Sequence, residues 1–175
     1  MKVVLYMGIS VNGLIAKENG DTSFVSKIEW KSFRAMIKKT DVMIIGRRTY
    51  DMMKESSEFN GLEKKKIVVL TSAASRKSEM SNITFTNLQP KDLLKNLGKE
   101  KHKSVLIAGG GILNGSFMKE NLIDEIILDV EPVVFGKGIR LFGDSDFEAR
   151  LKLAGTKKLS KNEIQLRYKV VKKKL

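Results

Sequence analysis

The stretch SVLIAGGGIL at residues 104–113 constrains the fold more than any other part of the chain. Residues 105–108 form an uninterrupted apolar run, the pattern of a strand buried on both faces, and three glycines follow before apolar residues recur at helical spacing. That is a strand, a tight turn and a helix start. Glycines let the backbone approach a ligand closely, and the first free N–H groups of a helix can receive an anion such as a pyrophosphate. A plain strand-to-helix turn would carry the same residues. The strict G-x-G-x-x-G dinucleotide fingerprint fails, because Gly109 and Gly111 are followed by Asn114.

Length and charge narrow the remaining choices. At 175 residues with 42% hydrophobic content, the chain is expected to be one domain with its own core. Cysteine is absent, which excludes disulfides and thiolate metal sites, and the one histidine is read as forming neither a triad nor a zinc site, so no metal is expected. His102 lies in the polar run KEKHKS and reads as solvated. Gly8, Ser10, Asn12 and Gly13 interrupt the apolar opening well short of a signal or membrane segment, and a cytoplasmic protein is expected. The net charge of +13 raises the question of nucleic acid. The lysines are scattered, however, from Lys38 and Lys39 through residues 64–66 to the tail at 172–174, without an interleaved aromatic row for base stacking. The expected partner is a small molecule, since the same field attracts phosphorylated or carboxylated ligands.

Taken in order, residues 2–9 read as a buried strand and residues 10–22 as a polar loop. Ser26 and Glu29 form a capping box that opens a helix to about Lys39, with Trp30, Phe33, Met36 and Ile37 as its apolar stripe. Glu29 is four residues before Phe33, so a carboxylate sits at the edge of the buried face. It serves either as the cap of Ser26 or as a desolvated acid at a cleft mouth, its pKa raised by burial.

Residues 41–45 are a second strand ending at Gly46, and Arg47, Arg48 and Thr49 begin a helix, a combination that favours an anion. Residues 66–70 are a third strand ending in Thr71 and Ser72. In an open α/β sheet, ligands gather at the carboxyl ends of strands, so these segments and the three glycines converge on one edge. A weak strand at 83–85, a helix with Pro90 at its first position and Gly98 past its end, a helix from Ile112, and a strand at 125–130 closed by Pro132 follow. The glycine-punctuated stretch 135–145 reads as irregular. Residues 152–172 read as an antiparallel hairpin turning near 160–162, at a sheet edge. The expected fold is a three-layer α/β domain, with a mostly parallel twisted sheet, helices on both faces and an antiparallel end.

Five segments in order, ISVNGLIAKENG, MIIGRRTYDMM, IVVLTS, VLIAGGGIL and LIDEIILDVEPVVFGKGIRLF, span nearly the whole chain and resemble the dihydrofolate reductase superfamily, which includes the reductase domain of riboflavin biosynthesis. The resemblance implies hydride transfer from NADPH. It assigns Gly46, Arg47, Arg48, Thr49, Leu70, Thr71 and Ser72 to the adenosine half, with Arg47 and Ser72 at the 2′-phosphate. Ala108, Gly109, Gly110, Gly111, Ile112 and Leu113 would hold the pyrophosphate, while Gly8, Ile15 and Ala16 cover the nicotinamide. Tyr6, Met7, Phe33 and Asn114 would meet the substrate.

The same resemblance makes Glu29 the acid that holds the substrate's amino edge and helps protonate its imine nitrogen, in a reduction of dihydrofolate to tetrahydrofolate. Four features depart from the folate enzymes: the loop reads DTSFVS where a Pro-Trp pair is usual, Asp129 replaces a Thr, Asn114 replaces a Tyr, and the folate-gripping arginine falls near Lys65 or Lys66. The ending EPVVFGKGIRLF is closer to the riboflavin-type reductases, whose substrate is a phosphorylated ribosylamino-pyrimidine. Asp129 either shares a proton with Glu29 as a catalytic pair, or caps a strand end or binds a ribose hydroxyl. A nucleic-acid binder or a non-catalytic nucleotide-binding domain is the alternative of another class, and the chain is expected to be a monomer or a homodimer paired through its final hairpin.

Overall fold

The computed structural model describes residues 1–73, 75 and 78–172; Lys173 and Lys174 of the basic tail lie outside them. Apolar runs and amphipathic stretches alternate into β1 (Lys2–Ser10), β2 (Leu14–Lys17), α1 (Lys27–Lys39), β3 (Val42–Gly46), α2 (Arg47–Glu55), β4 (Lys66–Leu70), β5 (Ile83–Thr86) and α3 (Pro90–Lys99). β6 (Ser104–Ile107), α4 (Gly111–Lys119), β7 (Glu125–Glu131), β8 (Gly138–Arg140), β9 (Arg150–Lys158) and β10 (Ile164–Val171) complete the order. The main sheet runs β5-β4-β3-β6-β1-β7-β10-β9. Its strands are parallel from β5 through β7 and antiparallel at β10 and β9.

Period-two alternation divides the core between two faces. Val4, Tyr6, Met43 and Ile45 turn to one face, where Phe33 and Ile37 of α1 and Tyr50 and Met53 of α2 cover them. Val3, Leu5, Val42 and Ile44 turn to the other, beneath Leu93 and Leu97 of α3 and Leu113 and Phe117 of α4. Each fully buried aliphatic side chain here contributes about 1.5–3 kcal/mol by leaving water. This is the three-layer arrangement expected. It also sets the site, because the neighbouring strands β3 and β6 feed helices to opposite faces, and their carboxyl ends part to leave a crevice.

Three expectations are corrected. The supposed loop 10–22 and the supposed irregular stretch 135–145 pair with each other: β2 and β8 form a small antiparallel ribbon with Leu14 opposite Arg140 and Lys17 opposite Gly138. Pro90 does occupy the first turn of α3, but Gly98 lies inside that helix. The left-handed position after it belongs to Lys101 at φ 67, with the His102 N–H donating to the Leu97 carbonyl and the Lys101 N–H to that of Gly98. No helix among the described residues is long and apolar enough to cross a membrane.

Candidate active site

A cleft of about 1770 Å³ opens along the carboxyl edge of the parallel strands. Two helices point their N-termini into it. Gly46 precedes α2 and Gly110 precedes α4, and neither helix has a side-chain cap, so their first amides are available to a ligand. The backbones approach closely: Gly46 N–H donates to the Gly109 carbonyl at 2.7 Å, and a Cβ on Gly46 would lie 3.4 Å from Gly110 N. Gly109 has φ +86, and the Gly109–Gly110 peptide bond is cis. On Gly111 a Cβ would meet the Arg140 carbonyl at 2.5 Å and Gly143 N at 2.8 Å, so only glycine lets the turn pack under the segment after β8.

Most of the residues singled out by sequence line this cleft: Gly46, Arg47, Arg48 and Thr49; Leu70, Thr71 and Ser72; Ala108, Gly110, Gly111, Ile112 and Leu113; Gly8, Ile15 and Ala16; and Tyr6, Met7 and Phe33. Arg47 is tethered to Asp51 one turn along, Nη1 to Oδ2 at 3.1 Å. Gly109, Asn114 and Asp129 do not reach the wall. Asn114 is fully buried in α4, where its amide donates to the Leu141 carbonyl at 2.8 Å, so it cannot meet a substrate. Lys65 donates to the Thr40 carbonyl and Lys66 pairs with Glu100, leaving neither for a folate tail. His102 lies within ion-pair reach of Glu100, 3.3 Å from its carboxylate, and away from the cleft.

Glu29 is on the wall, only 5% exposed, and its side chain is not a cap. The Glu29 amide does donate to Ser26 Oγ at 3.0 Å, as a capping box requires. The return bond is made by another residue, since Ser26 N–H donates to Oε1 of Glu131 at 2.9 Å. The Glu29 carboxyl is thereby free and packs over Gly8, where a Cβ would stand 3.2 Å from its Cδ. Burial first, then the charges of Asp129, Glu131, Glu58 and Glu163, push its pKa from 4.5 up to about 8.

Behind this wall lies a polar row. Gly8, Asp129 and Gln165 occupy opposed positions on β1, β7 and β10. Asp129, 1% exposed, accepts the Tyr6 hydroxyl at 2.5 Å and the Gln165 amide at 2.8 Å. Burial is the main cause that raises its pKa, and these hydrogen bonds oppose the rise. The Tyr6 phenol is held far above its ordinary value by burial and by the Glu29 and Asp129 carboxyls, so it stays a donor, with its ring stacked 5.4 Å from that of Phe33. Neither strand capping nor ribose binding describes Asp129, because it is buried behind Tyr6.

Sequence reading passed over Gln165, Glu131 and Glu58. A signal was present: just after Glu163, Gln165 and Arg167 alternate with Ile164, Leu166 and Tyr168 and put polar residues on one side of β10, a pattern that asks for partners.

The fold is of the dihydrofolate reductase-like class. Residues 51–165 match the RibD C-terminal domain, and the chain belongs to that family. It is 35% identical to Bacillus subtilis (strain 168) YwjB, described as an uncharacterized protein, over 95% of this chain and 97% of that one. Among solved structures, a diaminohydroxyphosphoribosylaminopyrimidine deaminase/5-amino-6-(5-phosphoribosylamino)uracil reductase of Thermotoga maritima shares the fold with TM-score 0.77 at 17% identity, over 97% of this chain and 56% of that one. Dihydrofolate reductase from Enterococcus faecalis, solved with NADP(H), shares it with TM-score 0.70 at 17% identity, over 97% and 96% of the two chains.

Proposed function

We propose that the chain is an NADPH-dependent reductase that adds hydride to the C=N bond of a planar pterin-type ring, with dihydrofolate as the first candidate. The observation that carries this reading is a carboxyl only 5% exposed, whose burial raises its pKa, on the wall of a cleft that also receives two uncapped helix N-termini. Those termini, with Gly110 and Gly111, suit a pyrophosphate, and Arg47, Arg48, Thr71 and Ser72 suit the adenosine half and its 2′-phosphate.

When bound, the reduced nicotinamide supplies the hydride. Gly8, Ile15 and Ala16 cover that end of the cleft, and Phe33, stacked on Tyr6, forms an apolar wall for a planar ring. Glu29 gives its proton to the ring nitrogen as hydride reaches the adjacent carbon, and regains one from solvent. Asp129, behind the wall, acts on Glu29 through its charge.

A second substrate, a phosphorylated ribosylamino-pyrimidine, is favoured by the family match and by the engagement of Lys65 and Lys66 elsewhere. Mixing the chain with NADPH and following nucleotide fluorescence tests the cofactor. Absorbance loss on adding dihydrofolate or the phosphorylated pyrimidine then tests the reaction and separates the two. Enhanced fluorescence with turnover of one substrate is expected; fluorescence without turnover of either would reduce the chain to a nucleotide-binding domain.

A further inference from the structure

We propose that Gln165 is a positioning residue: set between Arg167 and Asp129, it fixes the negative charge on Asp129 and thereby leaves the proton on Glu29, the carboxyl that faces the cleft. The inference rests on the reading of Glu29 as the acid.

The geometry begins at Arg167. A guanidinium can only donate, so its Nε, 2.8 Å away, must meet the carbonyl oxygen of the Gln165 side chain. That fixes the amide's orientation. Its nitrogen then faces Asp129 Oδ1 at 2.8 Å and Ser32 Oγ of α1 at 3.1 Å. Gln165 is 2% exposed, so water cannot replace it readily, and the Asp129–Gln165 pair is directly cross-strand. Asp129 is therefore supported by the Tyr6 hydroxyl and this amide, with Ser32 of α1 adding to them, while the Glu29 carboxyl receives no hydrogen bond from the described residues. Two nearby buried carboxyls cannot both ionise cheaply, and the better-solvated one takes the charge.

A neutral donor suits the position. A cation at 165 would stabilise the Asp129 carboxylate but cancel its field at Glu29, whereas an amide supports the charge and leaves the field in place. The groups facing this pair are Tyr6 from β1, Glu131 from β7, Glu163 and Arg167 from β10 and its approach, and Glu58 after α2. The carboxyls among them also push the Glu29 proton affinity up, and Arg167 acts on Asp129.

The test is titration of carboxyl-labelled free protein by carbon-13 NMR, without nucleotide or substrate, in wild type, Gln165→Leu, Asp129→Asn and the double variant. Gln165→Leu lowers the proton affinity of Glu29 about tenfold or more, and adding Asp129→Asn lowers it little further, because both act through one charge. An unchanged Glu29 titration in folded Gln165→Leu, or fully additive shifts, overturns the inference. Should Gln165→Leu not fold, Arg167→Ala, at a half-buried position, is expected to shift Glu29 in the same direction, and no shift there overturns it too. Failure of turnover on every substrate, with the titration behaving as described, would refute the reductase reading and leave this one standing.

Discussion

Replacing Glu29 with glutamine should stabilise the protein, and by an amount that depends on pH. The folded-state pKa of about 8 lies above the ordinary 4.5, so between those values the folded chain holds a proton that the unfolded chain has released. Stability tied to this group is complete below about 4.5 and is lost as pH climbs through 8. At about 1.4 kcal/mol per pH unit, wild type forfeits roughly 3 kcal/mol by pH 7 and roughly 4–5 kcal/mol above pH 8. Glutamine has nearly the same shape and no charge to bury. The Glu29→Gln variant should therefore match wild type in urea unfolding at pH 4.5 and exceed it progressively up to pH 9. Glu131, Glu163 and Asp129 are present in both chains, so the difference isolates position 29. A stability difference that is the same at pH 4.5 and pH 9 would refute the account of Glu29 as a desolvated acid.

Three further outcomes are expected. Arg47→Ala should erode the preference for NADPH over NADH by about 1–3 kcal/mol, measured by nucleotide titration, the scale of a charge-assisted hydrogen bond; equal use of both nucleotides by wild type would contradict the placement. Gly111→Ala should cost at least about 1–3 kcal/mol in thermal unfolding, because its Cβ would strike the backbone of Arg140 and Gly143 rather than a movable side chain. Gly8→Ala brings a methyl to 3.2 Å from the Glu29 carboxyl and should slow turnover more than it weakens NADPH binding, and an unaltered rate would show that the carboxyl tolerates displacement.

The parts of this structure that were legible in the sequence are those specified by neighbours in the chain. The glycines at 109–111, the Ser26 cap, Pro90 at a helix start and the final hairpin each announce themselves within a few residues. What escaped is carried by long-range contacts. The capping box predicts that Glu29 returns the bond to Ser26, yet Glu131, 105 residues away in sequence, makes that bond and releases Glu29 into the cleft. β2 and β8 pair across more than a hundred residues through glycine-containing backbone with little strand signal. Asn114 follows the glycines as a ligand-binding residue would, but α4 turns it toward Leu141. Gln165 shows locally only as a polar residue in an alternating strand; the register between β7 and β10 is what sets it against Asp129.

The central claim is that Glu29 gives a proton to a substrate reduced at the expense of NADPH. Single-turnover oxidation of bound NADPH, recorded from pH 5 to 10 in wild type and in Glu29→Gln, tests it most directly. The account predicts a wild-type rate that falls off above about pH 8, and a variant about a hundredfold slower or more, with that dependence gone and NADPH affinity nearly intact. Superimposable profiles from the two proteins would contradict it.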